Sequence, residues 1–287
     1  MKNNLILKRY AQYIEEAQFS PNTIETYTGQ ISRFYLWRQP DLFVICPSLE
    51  RDAILHFKAH LLENKKLKPV TVNGYLSALR SFNEFLVDLG LQSEVVVRNK
   101  DYMKIQSELS NPWDGEDEEV ERLLRLVRQS KRRYCVRDYA ILSVMAYAGL
   151  RVSEVVNLDV DDIMFSSYEL FVRNGKGQKS RTVYMNNKVI EAIEAYMQER
   201  PIIDEAGLFI SQTGNKLTRR RIQQIVSNHS DTLTPHKLRH FFCSQSQSVA
   251  GYSIMETAQQ AGHRNPQTTM RYSHPRKKDI LAKANKL

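Results

Sequence analysis

The sequence predicts a mainly α-helical chain in two domains, the second of which carries a small antiparallel β-sheet. Three observations lead there. Up to about residue 105, apolar residues recur at helical spacing and no segment alternates convincingly as a strand. That periodicity stops around SELSNPWDGEDEE, where Pro112 and Gly115 interrupt and a cluster of acids begins. Beyond it, YELFVRNGKGQKSRTVYM reads as two short strands around a glycine-containing turn. The expected division is a first domain over 1–105, a linker over 106–116 and a second domain over 117–287.

The elements follow in order. In the first domain YAQYIEEA, TIETYTGQISRFYLWR, LERDAILHFKAHLLE and VNGYLSALRSFNEFLVDLG read as helices, the second on the spacing of Ile24, Tyr27, Ile31 and Phe34, the last ending on Gly90. The acids from Asp114 to Glu121 suit the positive end of a helix carrying Val120, Leu123, Leu124 and Val127. RDYAILSVMAYAGL is a helix ending at Gly149. After the strand pair come NKVIEAIEAYMQE, LTRRRIQQIVSN, HKLRHFFCSQSQSVA and SIMETAQQA, all helical. There is no internal repeat and no low-complexity tract.

The chain has 287 residues, enough for two domains that each bury a core. Its net charge of +9 points to an acidic polymer or surface as partner. A membrane is the weaker option, since no run approaches the ~20 apolar residues of a span and MKNNLILKRYAQYIEE has no apolar stretch of signal-peptide length. Cys46, Cys135 and Cys243 are widely separated and fit neither a metal spacing nor a disulfide framework, which suggests reduced thiols in the cytoplasm.

The second domain also carries a set of basic and hydroxyl residues suited to phosphodiester chemistry. Arg151 lies in AGLRVSE, Lys176 and Lys179 in NGKGQKSR, His236 and Arg239 in PHKLRH, and His263 and Tyr272 in AGHRNPQTTMRY. Two nonbridging oxygens are best held by permanently charged, planar guanidinium groups, and Arg151 and Arg239 supply two from different segments. Residues three apart share a helical face, so His236 and Arg239 can converge on one ligand. No metal or nucleotide motif accompanies the set. Each member also has an ordinary structural role open to it: Arg151 with Glu154 as a local ion pair at a cap, His236 as a buried histidine, His263 as a backbone cap, Tyr272 as core, the lysines as a solvated turn. The ordered set has few structural explanations.

The order of arginine, lysine hairpin, HxxR, GH and tyrosine resembles the tyrosine recombinases, or phage-integrase family, and looks most similar to the Xer-like two-domain members. AYAGLRVSEVVNL, PHKLRHFFCS and AGHRNPQTTMRYSH are similar to the family's three boxes. SPNTIETYTGQISRF and KPVTVNGYLSALRSF look like helices of its SAM-like core-binding domain. The resemblance implies that Tyr272 attacks the scissile phosphate to give a 3′-phosphotyrosyl bond and a free 5′-hydroxyl, with the bond energy retained, so that neither ATP nor another cofactor is needed. Arg151, Arg239 and His263 would stabilise the nonbridging oxygens. His236 would act on the tyrosine proton or the same oxygens, Lys176 would be the general acid with Lys179 as its competitor, and Glu154 would orient an arginine.

The same resemblance implies double-stranded DNA with inverted recombinase-binding motifs as partner, and a homotetramer on two paired sites whose subunits touch through the C-terminal segment. Lys65, Lys66, Lys68, Thr71 and Arg80 are expected to cluster around one helix start as phosphate and groove contacts, with Arg219, Arg220 and Arg221 contacting DNA from the second domain and the two domains closing on the duplex as a clamp. A solvated lysine run is the plain alternative. Two departures stand out: fifteen residues follow Tyr272, which makes a C-terminal helix from KKDILAKANKL short, and Gly74 stands where relatives carry a longer side chain. Resolution of transposon cointegrates or replicon dimers is the expected role. A type IB topoisomerase and an inactive DNA-binding regulator are the competing readings.

Overall fold

The computed structural model describes residues 5–38, 47–105, 116–173, 180–203, 205–263 and 269. The chain divides into two compact units, Met1–Ser107 and Glu108–Leu287. Most of the expected linker, and with it Pro112 and Gly115, lies outside the described residues, as do Lys176, Lys179 and Tyr272.

The first unit is helical. Its elements are α1 (Leu5–Glu16), α2 (Pro21–Arg38), α3 (Arg51–Glu63) and α4 (Pro69–Asp88). The longest, α4, packs against the other three, because its apolar positions Val72, Tyr75, Leu76, Leu79, Phe82 and Leu86 recur every three or four residues. Aromatic rings fill the space between helices: Tyr10 meets Phe82 edge-on at 5.2 Å, and Phe34 meets Phe57 at 5.1 Å. Two amides of α4 hold the chain that follows it. Asn83 accepts from the Val96 N–H at 2.7 Å and donates to the Glu94 carbonyl, and Asn73 does the same to both backbone groups of Met103 at 2.9 Å. Helix α4 begins three residues earlier than the periodicity suggests, because Pro69 occupies a first-turn position where its missing N–H costs nothing. It ends at Asp88, with Gly90 at φ +69° closing the turn.

The second unit is built around α6 (Cys135–Tyr147), buried continuously from Ala140 to Ala146 and packed against α5 (Glu116–Arg128), α8 (Asn187–Glu199) and α10 (Pro235–Ser248). Val120, Leu123, Leu124 and Val127 of α5 all face this core. Between α6 and α8 lie a short α7 (Val152–Asn157) and an antiparallel sheet in the order β1 (Ile163–Met164), β2 (Glu169–Val172), β3 (Arg181–Tyr184). The register pairs Glu169 with Tyr184, Leu170 with Val183 and Val172 with Arg181. Leu170, Val172 and Val183 turn inward, and Phe171 and Tyr184 face out. The sequence reading missed α7 and β1: six helical residues and two strand residues are too short to show a period.

The remaining helices are α9 (Arg219–Ser227) and α11 (Ile254–Ala261). Side chains cap α8 to α11 in turn: Asn186, Thr218, Thr234 and Ser253 each accept a backbone N–H of the first turn. Gly262 ends α11 in the left-handed region at φ +68°. No described helix is long and apolar enough to cross a membrane.

Candidate active site

Arg151 occupies the cap position of α7, where the turn after Gly149 delivers it. Glu154, one turn on, takes the Arg151 backbone N–H at 2.7 Å and its guanidinium at 2.9 Å. The other terminal nitrogen of Arg151 donates to the Gly262 carbonyl at 2.7 Å, tying α7 to the end of α11. Glu154 is 7% exposed. Burial pushes its carboxyl upward, but hydrogen bonds and charge from Arg181, with further help from Arg151, outweigh that and hold its pKa below the usual carboxylate value. Glu154 therefore holds both the backbone and the guanidinium of Arg151.

Arg239 reaches the same place from α10. It is 4% exposed, donates Nη1 to the Gly149 carbonyl at 2.7 Å, and lies 4.0 Å from Glu154. Its Nη2 is buried and has no hydrogen-bond partner among the described residues. Burial, then the neighbouring Arg151 charge, pulls its pKa down to about 10. An arginine held this way is an unusual expense in a resting protein.

His236 lies one turn before Arg239 at the solvent-facing edge. Its ring meets that of His240 edge-on at 4.1 Å, and the two Nε2 atoms are 2.7 Å apart, the distance at which one ring N–H donates to the other ring's lone pair. Desolvation, then Arg239 and Arg151, lowers the His236 pKa. His263 follows Gly262, and its Nδ1 is 2.8 Å from the buried Thr269 hydroxyl. Burial, then the charges of Arg239, Arg151 and Arg181, pulls His263 down to about 4.

Five of the expected residues, Arg151, Glu154, His236, Arg239 and His263, therefore belong to one cluster assembled from three stretches of chain. Two members were missed in the sequence. Arg181 of β3 donates to both Glu154 oxygens at 2.9 and 3.0 Å and through Nε to the Gln260 carbonyl at 2.9 Å. Its only sequence signal is its place two residues after the hairpin lysine Lys179. His240 is the second histidine of PHKLRH, four residues from His236. Among the described residues no group of three or more His, Cys, Asp or Glu is placed to hold a metal ion.

The expected DNA-contact residues separate. Lys65, Lys66 and Lys68 are exposed in the turn between α3 and α4, with Thr71 exposed in the first turn of α4. Arg80 does not join them. Nine residues after Thr71 it lies about 13 Å along the helix and about half a turn around it, and it bonds Glu84 and Asn99. Arg219, Arg220 and Arg221 are all exposed in the first turn of α9, as a surface role requires.

Three guanidinium groups and three histidines thus gather around one buried carboxylate in the second unit, an arrangement with the charge to hold an anion. The phage integrase family pattern matches residues 116–279, and the phage integrase, N-terminal SAM-like domain pattern matches residues 7–90. The chain is 34% identical over 274 residues to the TnP I resolvase of Bacillus thuringiensis, covering 94% of this chain and 95% of that one. It is 34% identical over 282 residues to tyrosine recombinase XerC of Haemophilus influenzae (strain PittEE), covering 93% and 92%. Its fold is like that of the Tn1549 transposon integrase in complex with transposon right end DNA, with a TM-score of 0.70 at 20% identity over 98% of this chain and 99% of that one. The chain belongs to the phage integrase family and is a tyrosine-type site-specific DNA recombinase, an enzyme of DNA strand transfer.

Proposed function

We propose that this recombinase resolves transposon cointegrates or replicon dimers, exchanging strands between two DNA sites through a covalent tyrosine intermediate. The observation that carries the chemistry is Arg239: a buried guanidinium whose Nη2 has no partner among the described residues, beside Arg151, is stabilised when an anion enters. In the proposed first step the Tyr272 hydroxyl oxygen bonds the scissile phosphorus and the bond to the 5′-oxygen breaks. Lys176, or its neighbour Lys179, supplies the proton that makes the leaving group a 5′-hydroxyl, and His236 receives or shares the tyrosine proton. Arg151, Arg239 and His263 meet the charge on the nonbridging oxygens. A 5′-hydroxyl from the partner strand then attacks the phosphotyrosine, the phosphodiester is restored and Tyr272 leaves. Phosphoester bonds are exchanged one for one, so no nucleotide is consumed.

The proposed partner is double-stranded DNA bearing inverted motifs, bound by a homotetramer on two sites with subunits touching through the C-terminal segment. Residues 1–105 and 117–287 would act as the two halves of a clamp, working in the cytoplasm. The resolvase relative supports cointegrate resolution, and the DNA complex of the transposon integrase supports a duplex partner. Lys65, Lys66, Lys68 and Thr71 at the start of α4, and Arg219 to Arg221 at the start of α9, are the proposed contacts. Three cations at the positive end of a helix oppose its dipole, a conflict that a phosphate backbone relieves.

The test is a suicide DNA substrate nicked beside the cleavage position. The wild type traps a covalent protein–DNA adduct, whereas Tyr272→Phe binds the DNA and forms none. An adduct that persists in the Phe variant moves the nucleophile elsewhere, with Tyr252 the next candidate.

A further inference from the structure

Glu154 lies where a phosphate-binding enzyme has reason to avoid a negative charge. It is buried, it touches Arg151, and it is 4.0 Å from Arg239. Left to itself, a carboxylate there would compete with the phosphate for both arginines. Arg181 is placed to prevent this. Its two terminal nitrogens take the two Glu154 oxygens in parallel at 2.9 and 3.0 Å, the fork geometry in which a guanidinium saturates a carboxylate. Its side chain is 10% exposed, so solvent screens the pair little.

Arg181 also holds the far wall of the site. Its Nε donates to the Gln260 carbonyl in the last turn of α11, and its guanidinium packs against Gly262, where a Cβ would come within 2.6 Å of Cζ. The Gly262 carbonyl in turn accepts from Arg151. Arg151, Glu154, Arg181 and the Gln260–Gly262 backbone thus form a closed ring joining α7, β3 and the turn that leads to His263. Lysine cannot replace a group that makes three directed bonds in one plane.

We propose that Arg181 is a positioning residue for strand cleavage: it neutralises Glu154 so that this carboxylate can orient Arg151 without withdrawing positive charge from the phosphate site. The charges make the point. Arg151, Arg239 and Arg181 with Glu154 sum to +2. Without Arg181 the sum falls to +1, and restoring +2 requires removing the charge of Glu154.

The inference rests on the recombinase chemistry proposed above, and its test separates the two. Single-turnover adduct formation on suicide DNA, duplex binding and thermal melting are measured for Arg181→Met, Arg181→Lys, Glu154→Gln and the Arg181→Met/Glu154→Gln double variant. Arg181→Met is expected to bind DNA within about threefold of wild type and to cleave about 10²-fold more slowly, the scale of a misplaced catalytic group. Glu154→Gln slows the wild type, because Arg151 loses its orienting carboxylate. In the Arg181→Met background the same change accelerates cleavage about tenfold, because the unmatched charge is gone. Arg181→Lys, which keeps the charge and should fold if the Met variant does not, loses about tenfold and gains nothing from Glu154→Gln. The proposal is overturned if Arg181→Met cleaves at the wild-type rate, or if Glu154→Gln slows both backgrounds alike, which is what a purely structural Arg181 produces. Failure of the wild type to form any adduct would instead overturn the proposed tyrosine chemistry.

Discussion

Arg239 donates its Nη1 to the carbonyl of Gly149 at 2.7 Å, ninety residues away in sequence. That carbonyl points at Arg239 because Gly149 adopts φ +71° at the end of α6, and the ring of Phe242 fills the place of a Cβ, with Cδ1 2.3 Å from where it would stand. The α6 terminus, the seat of Arg239 and the departure of the chain toward Arg151 therefore depend on a single missing methyl group.

Gly149→Ala is accordingly expected to destabilise the protein by at least about 2 kcal/mol, combining left-handed strain with overpacking, and to slow cleavage. Phe242→Leu in the same chain should recover part of the stability by making room for the methyl. Urea unfolding of the single and double variants checks both. A Gly149→Ala protein as stable as wild type would contradict the geometry.

The assignment of the general acid separates cleanly from that of the phosphate-binding arginines. An alkoxide is a poor leaving group, whereas a thiol has a pKa of ~8.5 and departs without a proton donor. Lys176→Ala should cleave ordinary DNA very slowly and recover most of its rate when the bridging 5′-oxygen is replaced by sulfur. Arg239→Ala should lose about 10²–10³-fold and recover nothing, since the nonbridging oxygens are unchanged. Rescue of Lys179→Ala instead transfers the role to Lys179. Rescue of neither leaves the hairpin as a DNA contact.

Acid should weaken the fold through the histidines of the site. Burial, with His236, Arg239 and Lys237 nearby, pulls His240 down to about 4, and His263 falls to about 4 for the reasons given above. In the unfolded chain both titrate near ~6.5. Between those values the unfolded state binds protons that the folded state refuses, so stability is complete above the unfolded pKa and falls as pH drops toward the folded one. Melting temperature should decline from pH 6.5 to 4, with an uptake on unfolding approaching about one proton per histidine. His263→Asn should flatten the decline, and an unchanged profile would show that His263 titrates normally.

Arg219, Arg220 and Arg221 should affect DNA and stability in opposite directions. Replacing all three with Ser is predicted to weaken duplex binding and to reduce the slope of log K against log salt by about 2–3, near one unit for each lost phosphate contact. The same change removes three cations from the positive end of α9 and should raise the melting temperature by about 1–3 °C. A slope unchanged by the triple substitution would place α9 away from the DNA.

Local spacing in the sequence determined most of the helices, the inward face of α5 and the position of the strand pair, because a helix or strand records its environment at its own period. NKVIEAIEAYMQE matches α8 residue for residue, and Val120, Leu123, Leu124 and Val127 are all buried. The candidate set Arg151, Glu154, His236, Arg239 and His263 was legible too, since short motifs carried each member. What only the tertiary structure decided is which groups hold these residues. Arg181 meets Glu154 across 27 residues, Arg151 meets Gly262 across 111, and Arg80, expected beside the lysines, points away because α4 turns it about half a revolution from Thr71. A side chain's own neighbours in sequence say how it is presented. They cannot say what it is presented to, because that partner arrives only when distant segments pack.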